Sequence, residues 1–331
     1  MASTASSAHS RARKPEPSSS AGRIWFGLSK RPPLKHPVAA TIGVFDGVHV
    51  AHQKLIRLTV QEAQRLRGSA VAVTFDPDPQ HVLRPDDAHP ALMPVEERCR
   101  LILSLGVDAV VVIRFTRAFA RIPAQDFIRR VLERALRVRE LTVGSDFSFG
   151  HGAQGNVRLL REWADRSDVK LHVVAPLERQ GKPVSSSRIR RLIEEGNLSQ
   201  ARRLLGRAPL LYGTVIPGQG RGRVLGVPTA NLALIPQVLP PNGVYGVRAR
   251  YDGREWCGVM NLGRRPTFGY GPVVCEVHLF DFSEDIYGKP LSVSLAARLR
   301  SERCFASIDA LKKQIQQDIR RARRLLAKPS A

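Results

Sequence analysis

Two imidazoles, His49 and His52, stand three residues apart where an apolar run ends, in the segment Gly43-Val44-Phe45-Asp46-Gly47-Val48-His49-Val50-Ala51-His52. Side chains three apart share one side of a first helical turn, so the rings can converge. Gly43 and Gly47 permit the tight strand-to-helix turn this requires. A helix N-terminus favours anions, and two ring N–H donors there can follow a triphosphate as charge builds around its α-phosphorus. That is the geometry of nucleotidyl transfer. Two solvated histidines in a turn are the plainer reading, but the preceding strand and the Gly-x-Phe-Asp-Gly-x-His context favour a site.

The complement lies far downstream. Ser185-Ser186-Ser187-Arg188-Ile189-Arg190 opens a second helix, where hydroxyls, unpaired N–H groups and two arginines meet at another positive helix end. A serine cap followed by arginine is common by itself. After the last strand of an α/β sheet it reads as the phosphate cradle of a nucleotidyltransferase half-site.

A second constellation is chemically distinct. Gly218-Gln219-Gly220-Arg221-Gly222-Arg223 precedes Pro228-Thr229-Ala230-Asn231, and no Gly-Lys-Ser/Thr follows, which excludes a Walker loop. On an extended segment Thr229 and Asn231 face the same way, so a hydroxyl and an amide oxygen can ligate a hard magnesium ion that also holds ATP phosphates.

These residues need two kinds of scaffold. Val38 to Ile42, Ala70 to Phe75, Ala109 to Ile113, Leu141 to Val143 and Leu171 to Val174 read as buried parallel strands. Helices fall between them, at His52 to Arg67 and at Asn156 to Arg166. This βαβ pattern puts ligands at the strand carboxyl ends. A helical stretch from Ser187 to Leu205 follows. Beyond it come short strands and Gly/Pro turns, at Leu211 to Ile216, Val244 to Arg250, Trp256 to Asn261, Val273 to Phe280 and Leu291 to Ala296, which predict an antiparallel barrel. A last helix, capped by Ser307, turns Ile308, Leu311, Ile315 and Ile319 inward.

Length and charge set the limits. A chain of 331 residues exceeds what one core organises, so two domains are expected. The longest apolar stretch, Ala109 to Ile113, is too short to span a bilayer. Cys99, Cys257, Cys275 and Cys304 form no Cys-x-x-Cys pair, which argues against a zinc site or disulfide framework and for a cytoplasmic setting. The net charge is +23 and only 10 of the 52 basic residues are lysines. Such a field attracts ATP and other phosphate-bearing ligands, or nucleic acid. The bases are spread along the chain and aromatics are only 6%, so a dedicated nucleic-acid face is disfavoured. Residues 1–36, rich in Ser and Arg, read as a disordered basic extension in which only Ile24 to Leu28 could form a strand; organellar targeting is the minor alternative.

Together the motifs resemble the bifunctional riboflavin kinase/FAD synthetase family of bacteria. The resemblance spans roughly residues 38 to 325 and rests also on Gly144-Ser145-Asp146-Phe147-Ser148-Phe149-Gly150, Gly243-Val244-Tyr245, Asn261-Leu262-Gly263-Arg264-Arg265-Pro266-Thr267, Glu276-Val277-His278-Leu279-Phe280, Asp285-Ile286-Tyr287-Gly288 and Leu299-Arg300-Ser301-Glu302. It implies a Rossmann-like adenylyltransferase domain over 37–205, and over 206–331 a six-stranded antiparallel barrel with a C-terminal helix, the riboflavin kinase. Catalysis would fall to His49, His52, Arg188 and Glu276, with Glu276 as base toward the ribityl 5′-hydroxyl. ATP, riboflavin and FMN would be held by Gly43, Phe45, Asp46, Gly47, Asp146, Ser185, Ser186, Ser187, Arg190, Gly218, Gly220, Gly222, Arg223, Pro228, Thr229, Asn231, Arg265 and Arg300. FAD would be the final product, Mg2+ would sit on Thr229 and Asn231, and His278 would be structural. In the first domain two residues depart from the pattern: Ala51 replaces a glycine, and Asp78 replaces the histidine of Phe-Asp-Pro-His-Pro; in the barrel Cys304 stands where a basic residue is common. The alternatives are a kinase whose first domain is weakened or inactive, and a basic nucleic-acid-binding protein on the same scaffold.

Overall fold

The structure, a computed structural model, describes residues 23–28, 34–218, 220, 222, 225–264 and 273–327. Six parallel strands form the first sheet: β1 (Arg23–Phe26), β2 (Val38–Ile42), β3 (Ser69–Asp76), β4 (Ala109–Arg114), β5 (Val138–Gly144) and β6 (Lys170–Val174), in the order β1-β4-β3-β2-β5-β6. All five residues of β2 are buried, as expected for a central strand covered on both faces. β1 comes from the Ile24 to Leu28 segment and pairs with β4 at the sheet edge.

The strand order reverses at β2, which pairs with β3 on one side and β5 on the other. The connections therefore diverge and leave a crevice at the strand carboxyl ends. Helix α1 (Val50–Arg65) leaves the end of β2 and buries Ile56, Thr59 and Ala63. It starts two residues before the sequence-based boundary because His49 caps it, its Nδ1 accepting from the His52 N–H. Helix α2 (Val95–Leu103) follows β3, and α3 (Val157–Arg166), capped by Asn156, precedes β6.

A short hairpin, β7 (Glu178–Arg179) with β8 (Lys182–Pro183), leads into α4 (Ser186–Glu194). The single helical stretch expected from Ser187 to Leu205 is two helices. Gly196, at φ +77°, ends the first, and Asn197 caps α5 (Leu198–Leu205). Leu192, Ile193, Leu204 and Leu205 pack these helices together.

The second unit is a closed antiparallel barrel of β9 (Leu210–Ile216), β10 (Ala230–Leu234), β11 (Gly243–Tyr251), β12 (Arg254–Arg264), β13 (Val273–Leu279) and β14 (Pro290–Arg300), ordered β10-β13-β12-β11-β14-β9. Val215, Leu232, Val247, Met260, Cys275 and Val277 fill its interior. β10 closes the ring; its five residues carry too little alternation to stand out in the sequence beyond an extended segment. Helix α6 (Ile308–Leu326), capped by Ser307, packs Ala322 and Leu326 against Val244, Val259 and Leu299. The two units share a seam: Tyr212 of the barrel packs into the core that holds Met93 and Phe45, and the Val238 N–H donates to the Ala91 carbonyl, 3.0 Å away.

Candidate active sites

The crevice is a cleft of about 1200 Å³. Gly43, Phe45, His49, His52, Asp146, Ser185 and Ser186 line it, drawn from the ends of β2 and β5 and the starts of α1 and α4. Two helix N-termini thus meet at one opening, each bringing N–H groups without helical partners.

The turn after β2 takes its shape from backbone geometry that side chains rarely adopt. Phe45 (φ 53°), Gly47 (φ 77°) and Val48 (φ 38°) all have positive φ. For Val48, a β-branched residue, this stores strain on the order of 1–3 kcal/mol. A Cβ on Gly47 would come within 2.6 Å of Leu92 Cδ1. The turn throws the His49 ring flat against that of His52, with centroids 3.5 Å apart and planes 19° from parallel, while Phe45 meets His52 edge-on.

Burial lowers the pKa of His49 to about 4, with the Arg207 and Arg190 charges acting the same way, and burial also holds His52 well below the usual histidine range. Both rings are therefore neutral at pH 7. Because His49 Nδ1 accepts the His52 N–H, its proton sits on Nε2, which is left as a donor. His52 Nδ1 is buried and has no hydrogen-bond partner.

Several residues assigned to this site from sequence serve it from behind. Asp46, Gly47, Ser187, Arg188 and Arg190 do not line the cleft. Both carboxylate oxygens of Asp46 accept from the Leu92 N–H, and Arg190 reaches Oδ2 at 2.6 Å while its Nε donates to the Pro90 carbonyl. This buried pair welds α4 to the turn, helped by the Ser186 hydroxyl donating to the Asp46 carbonyl. Arg188 donates instead to the carbonyls of Arg179, Lys182 and Pro183 in the β7–β8 hairpin. Ser185 caps α4 by accepting from the Arg188 N–H.

The sequence reading missed the apolar wall of the cleft. Phe75, Phe115, Phe119, Phe127, Phe149 and Phe147 form a continuous chain of ring contacts with centroids 5.2–6.4 Å apart. Their spacing follows no single helical or strand period, so only the fold brings them together. Arg84, Arg117 and Arg121 also line the cleft. Asp78, one of the two departures, does not; it caps the short helix Pro79–Leu83 by accepting from the Gln80 N–H. Ala51 lines the cleft and packs against the α4–α5 cluster.

On the barrel the second constellation is set by register. Asn231 of β10 pairs with Glu276 of β13, and Glu276 pairs on its other side with Asn261 of β12. Directly opposed residues point to the same face. Their neighbours Leu232, Cys275, Val277, Met260 and Leu262 fill the barrel, so the three polar side chains share its outer surface. Two described glycines of the glycine-rich segment come close to this face: a Cβ on Gly218 would clash with the Asn231 amide, and one on Gly222 would fall 2.8 Å from Thr229 Oγ1. Gly220 has φ +69°. Arg300, at the end of β14, is held by Asp318 of α6 at 2.9 Å. Arg223 and Arg265 lie outside the described residues.

A parallel sheet with paired histidines at its switch point, joined to a barrel with a glycine-covered Thr/Asn/Glu face, defines a two-site nucleotide-dependent transferase. A family model described as FAD synthetase matches residues 31–188, and one described as riboflavin kinase matches residues 205–326. The bifunctional riboflavin kinase/FMN adenylyltransferase of Escherichia coli K12 is 37% identical over 88% of this chain and 94% of its own; that of Pseudomonas fluorescens is 37% identical over 92% and 98%. The chain belongs to the bifunctional riboflavin kinase/FMN adenylyltransferase family. A crystal structure described as a macrolide-efflux protein of Streptococcus pneumoniae superposes with a TM-score of 0.79 at 30% identity, covering 89% of this chain and 97% of that one. Among the described residues no helix is long and apolar enough to cross a membrane.

Proposed function

We propose that the barrel transfers the γ-phosphoryl group of ATP to the ribityl 5′-hydroxyl of riboflavin, giving FMN and ADP, and that the cleft transfers the AMP moiety of a second ATP to FMN, giving FAD and pyrophosphate. The kinase half rests above all on the register that sets Glu276 beside Asn231. As the hydroxyl oxygen bonds to the γ-phosphorus its proton passes to the Glu276 carboxylate, and the bond to the ADP oxygen breaks. Thr229 and Asn231 offer two neutral hard oxygens beside that carboxylate, a donor set suited to Mg2+ shared with phosphate oxygens. When bound, the ion neutralises charge on the phosphates.

In the cleft a phosphate oxygen of FMN attacks the α-phosphorus and pyrophosphate leaves. The neutral His49 and His52 act as hydrogen-bond donors that strengthen as charge develops, and the N-termini of α1 and α4 add backbone N–H groups. The phenylalanine wall suits a flat ring system, and Arg84, Arg117 and Arg121 supply positive charge at the rim. Arg190 and Asp46 fix the turn, and Arg188 fixes the hairpin against α4. The family setting favours this reading over nucleic-acid binding. Its test is isotopic: label from γ-labelled ATP should enter FMN, and of the flavins only FAD should take up label from α-labelled ATP. Failure of α-label to appear in FAD would reduce the chain to a kinase.

A further inference from the structure

The turn that carries His49 exposes three carbonyls in a strained stretch, and each is taken by a specific donor. The Asp46 carbonyl accepts from Ser186 Oγ at 2.9 Å. The Gly47 carbonyl accepts from Arg207 Nη2 at 2.7 Å. The Val48 carbonyl accepts from Gln53 Nε2 at 2.9 Å and from Arg207 Nη1 at 3.3 Å. Arg207 Nη1 and Gln53 Nε2 also both reach the Leu205 carbonyl, at 3.2 and 2.9 Å, so the end of α5 is tied into the same knot. Among the described residues Arg207 makes no ion pair; its guanidinium donates to main-chain oxygens and, at 4.0 Å, to Met93 Sδ. Its planar fork is what allows one side chain to grip two successive carbonyls of a turn, which an ammonium group does not reproduce.

Arg207 follows α5 and falls within the part of the chain matched by the riboflavin kinase model. Yet the turn it grips belongs to the adenylyltransferase cleft and precedes His49 directly. Without it, Val48 at φ 38° would keep its strain and lose a donor that holds it in place.

We infer that Arg207 is a positioning residue of the adenylyltransferase site, supplied from the start of the kinase unit, and that it sets the placement of His49 by clamping the Gly47 and Val48 carbonyls. The inference rests on the adenylyltransferase reading of the cleft. Adenylylation is thereby coupled to the seam between the units: the clamp is present only where the chain entering the barrel is docked under the turn. Arg207 lines neither the cleft nor the Thr229–Glu276 face, so its hydrogen bonds reach the site through the backbone, alongside its charge near His49.

The test uses the full chain. FMN adenylylation and riboflavin phosphorylation are measured separately for the parent, Arg207→Lys and Arg207→Ala, each with free guanidinium or equimolar urea added. A parent that makes no FAD from FMN and ATP would sink the adenylyltransferase reading itself, before any variant is compared. With an active parent, Arg207→Ala should lower kcat for adenylylation by roughly tenfold to a hundredfold, the range for small misplacement of a catalytic group. KM for ATP should move less, phosphorylation should be unchanged, and guanidinium but not urea should restore part of the rate. Arg207→Lys should fall between parent and Arg207→Ala. Parental adenylylation by Arg207→Ala would overturn the inference. So would a parallel loss of both activities unrelieved by guanidinium, which would mark Arg207 as a general structural support.

Discussion

His278 donates from Nδ1 to the carbonyl of Pro228, 2.7 Å away, and so ties the strand bearing Glu276 to the segment bearing Thr229. His278 and Glu276 are two apart on β13 and share its outer face. The contact fixes the spacing between Glu276, the proposed proton acceptor, and Thr229, a proposed oxygen ligand.

Glu276→Gln keeps the shape of the side chain and removes its capacity to accept a proton. Riboflavin phosphorylation is expected to fall sharply in kcat, with riboflavin affinity within a few-fold and adenylylation of supplied FMN intact. Steady-state kinetics of the two half-reactions checks this. Phosphorylation at the parental rate would show that another group takes the proton.

Gly218→Ala probes the loop over the same face. The new Cβ would clash with the Asn231 amide, so either the loop lifts or Asn231 swings away. KM for ATP in the kinase reaction should rise at least tenfold, of the order seen when a positioned ligand group is displaced. Adenylylation should be unaffected. Unchanged kinase kinetics would mean that the loop does not cover bound nucleotide.

Titration of His49 carries a stability signature. Folding lowers its pKa from 6.5 to about 4, so between those values the unfolded chain binds a proton that the folded chain does not. Stability is therefore full above pH 6.5, declines as pH falls, and levels off near pH 4. For this histidine alone the loss at pH 5 is about 2 kcal/mol. His49→Asn retains a good helix cap and should flatten the decline, leaving the part due to His52. Denaturant unfolding at pH 7 and pH 5 decides; an identical slope in both proteins would contradict the buried neutral assignment.

Ala51, the second residue of α1, is the departure that lines the cleft wall. Ala51→Gly should raise kcat/KM for FAD formation by about tenfold to a hundredfold if its methyl crowds the nucleotide, a cost of about 1–3 kcal/mol in a rigid pocket. Stability should fall by up to about 1 kcal/mol from the lost helix propensity. Riboflavin phosphorylation should not change. Equal adenylylation by both forms would show a pocket already relaxed around the methyl.

Much of this was legible in the chain because the cues were local. Five apolar runs marked the central sheet, His49 and His52 advertised themselves by type and spacing, and Ser185 and Ser307 were readable as caps. What escaped was set by long-range contact. Arg190 reads as a phosphate ligand in the sequence, and no local pattern records its ion pair with Asp46, 144 positions away. Arg207 offered no motif at all, since its partners are backbone carbonyls that no side-chain pattern records. Asp78 reads in the sequence only as a departure from Phe-Asp-Pro-His-Pro; in the fold it is a helix cap.

The central claim is that one chain performs both transfers in sequence. Purified protein incubated with riboflavin, excess ATP and Mg2+, sampled over time and resolved by flavin chromatography, tests it most directly. The expected result is a rise of FMN followed by its conversion to FAD, with both steps abolished by chelation of the metal. Accumulation of FMN with no FAD, even when FMN is supplied at saturating concentration, would contradict it.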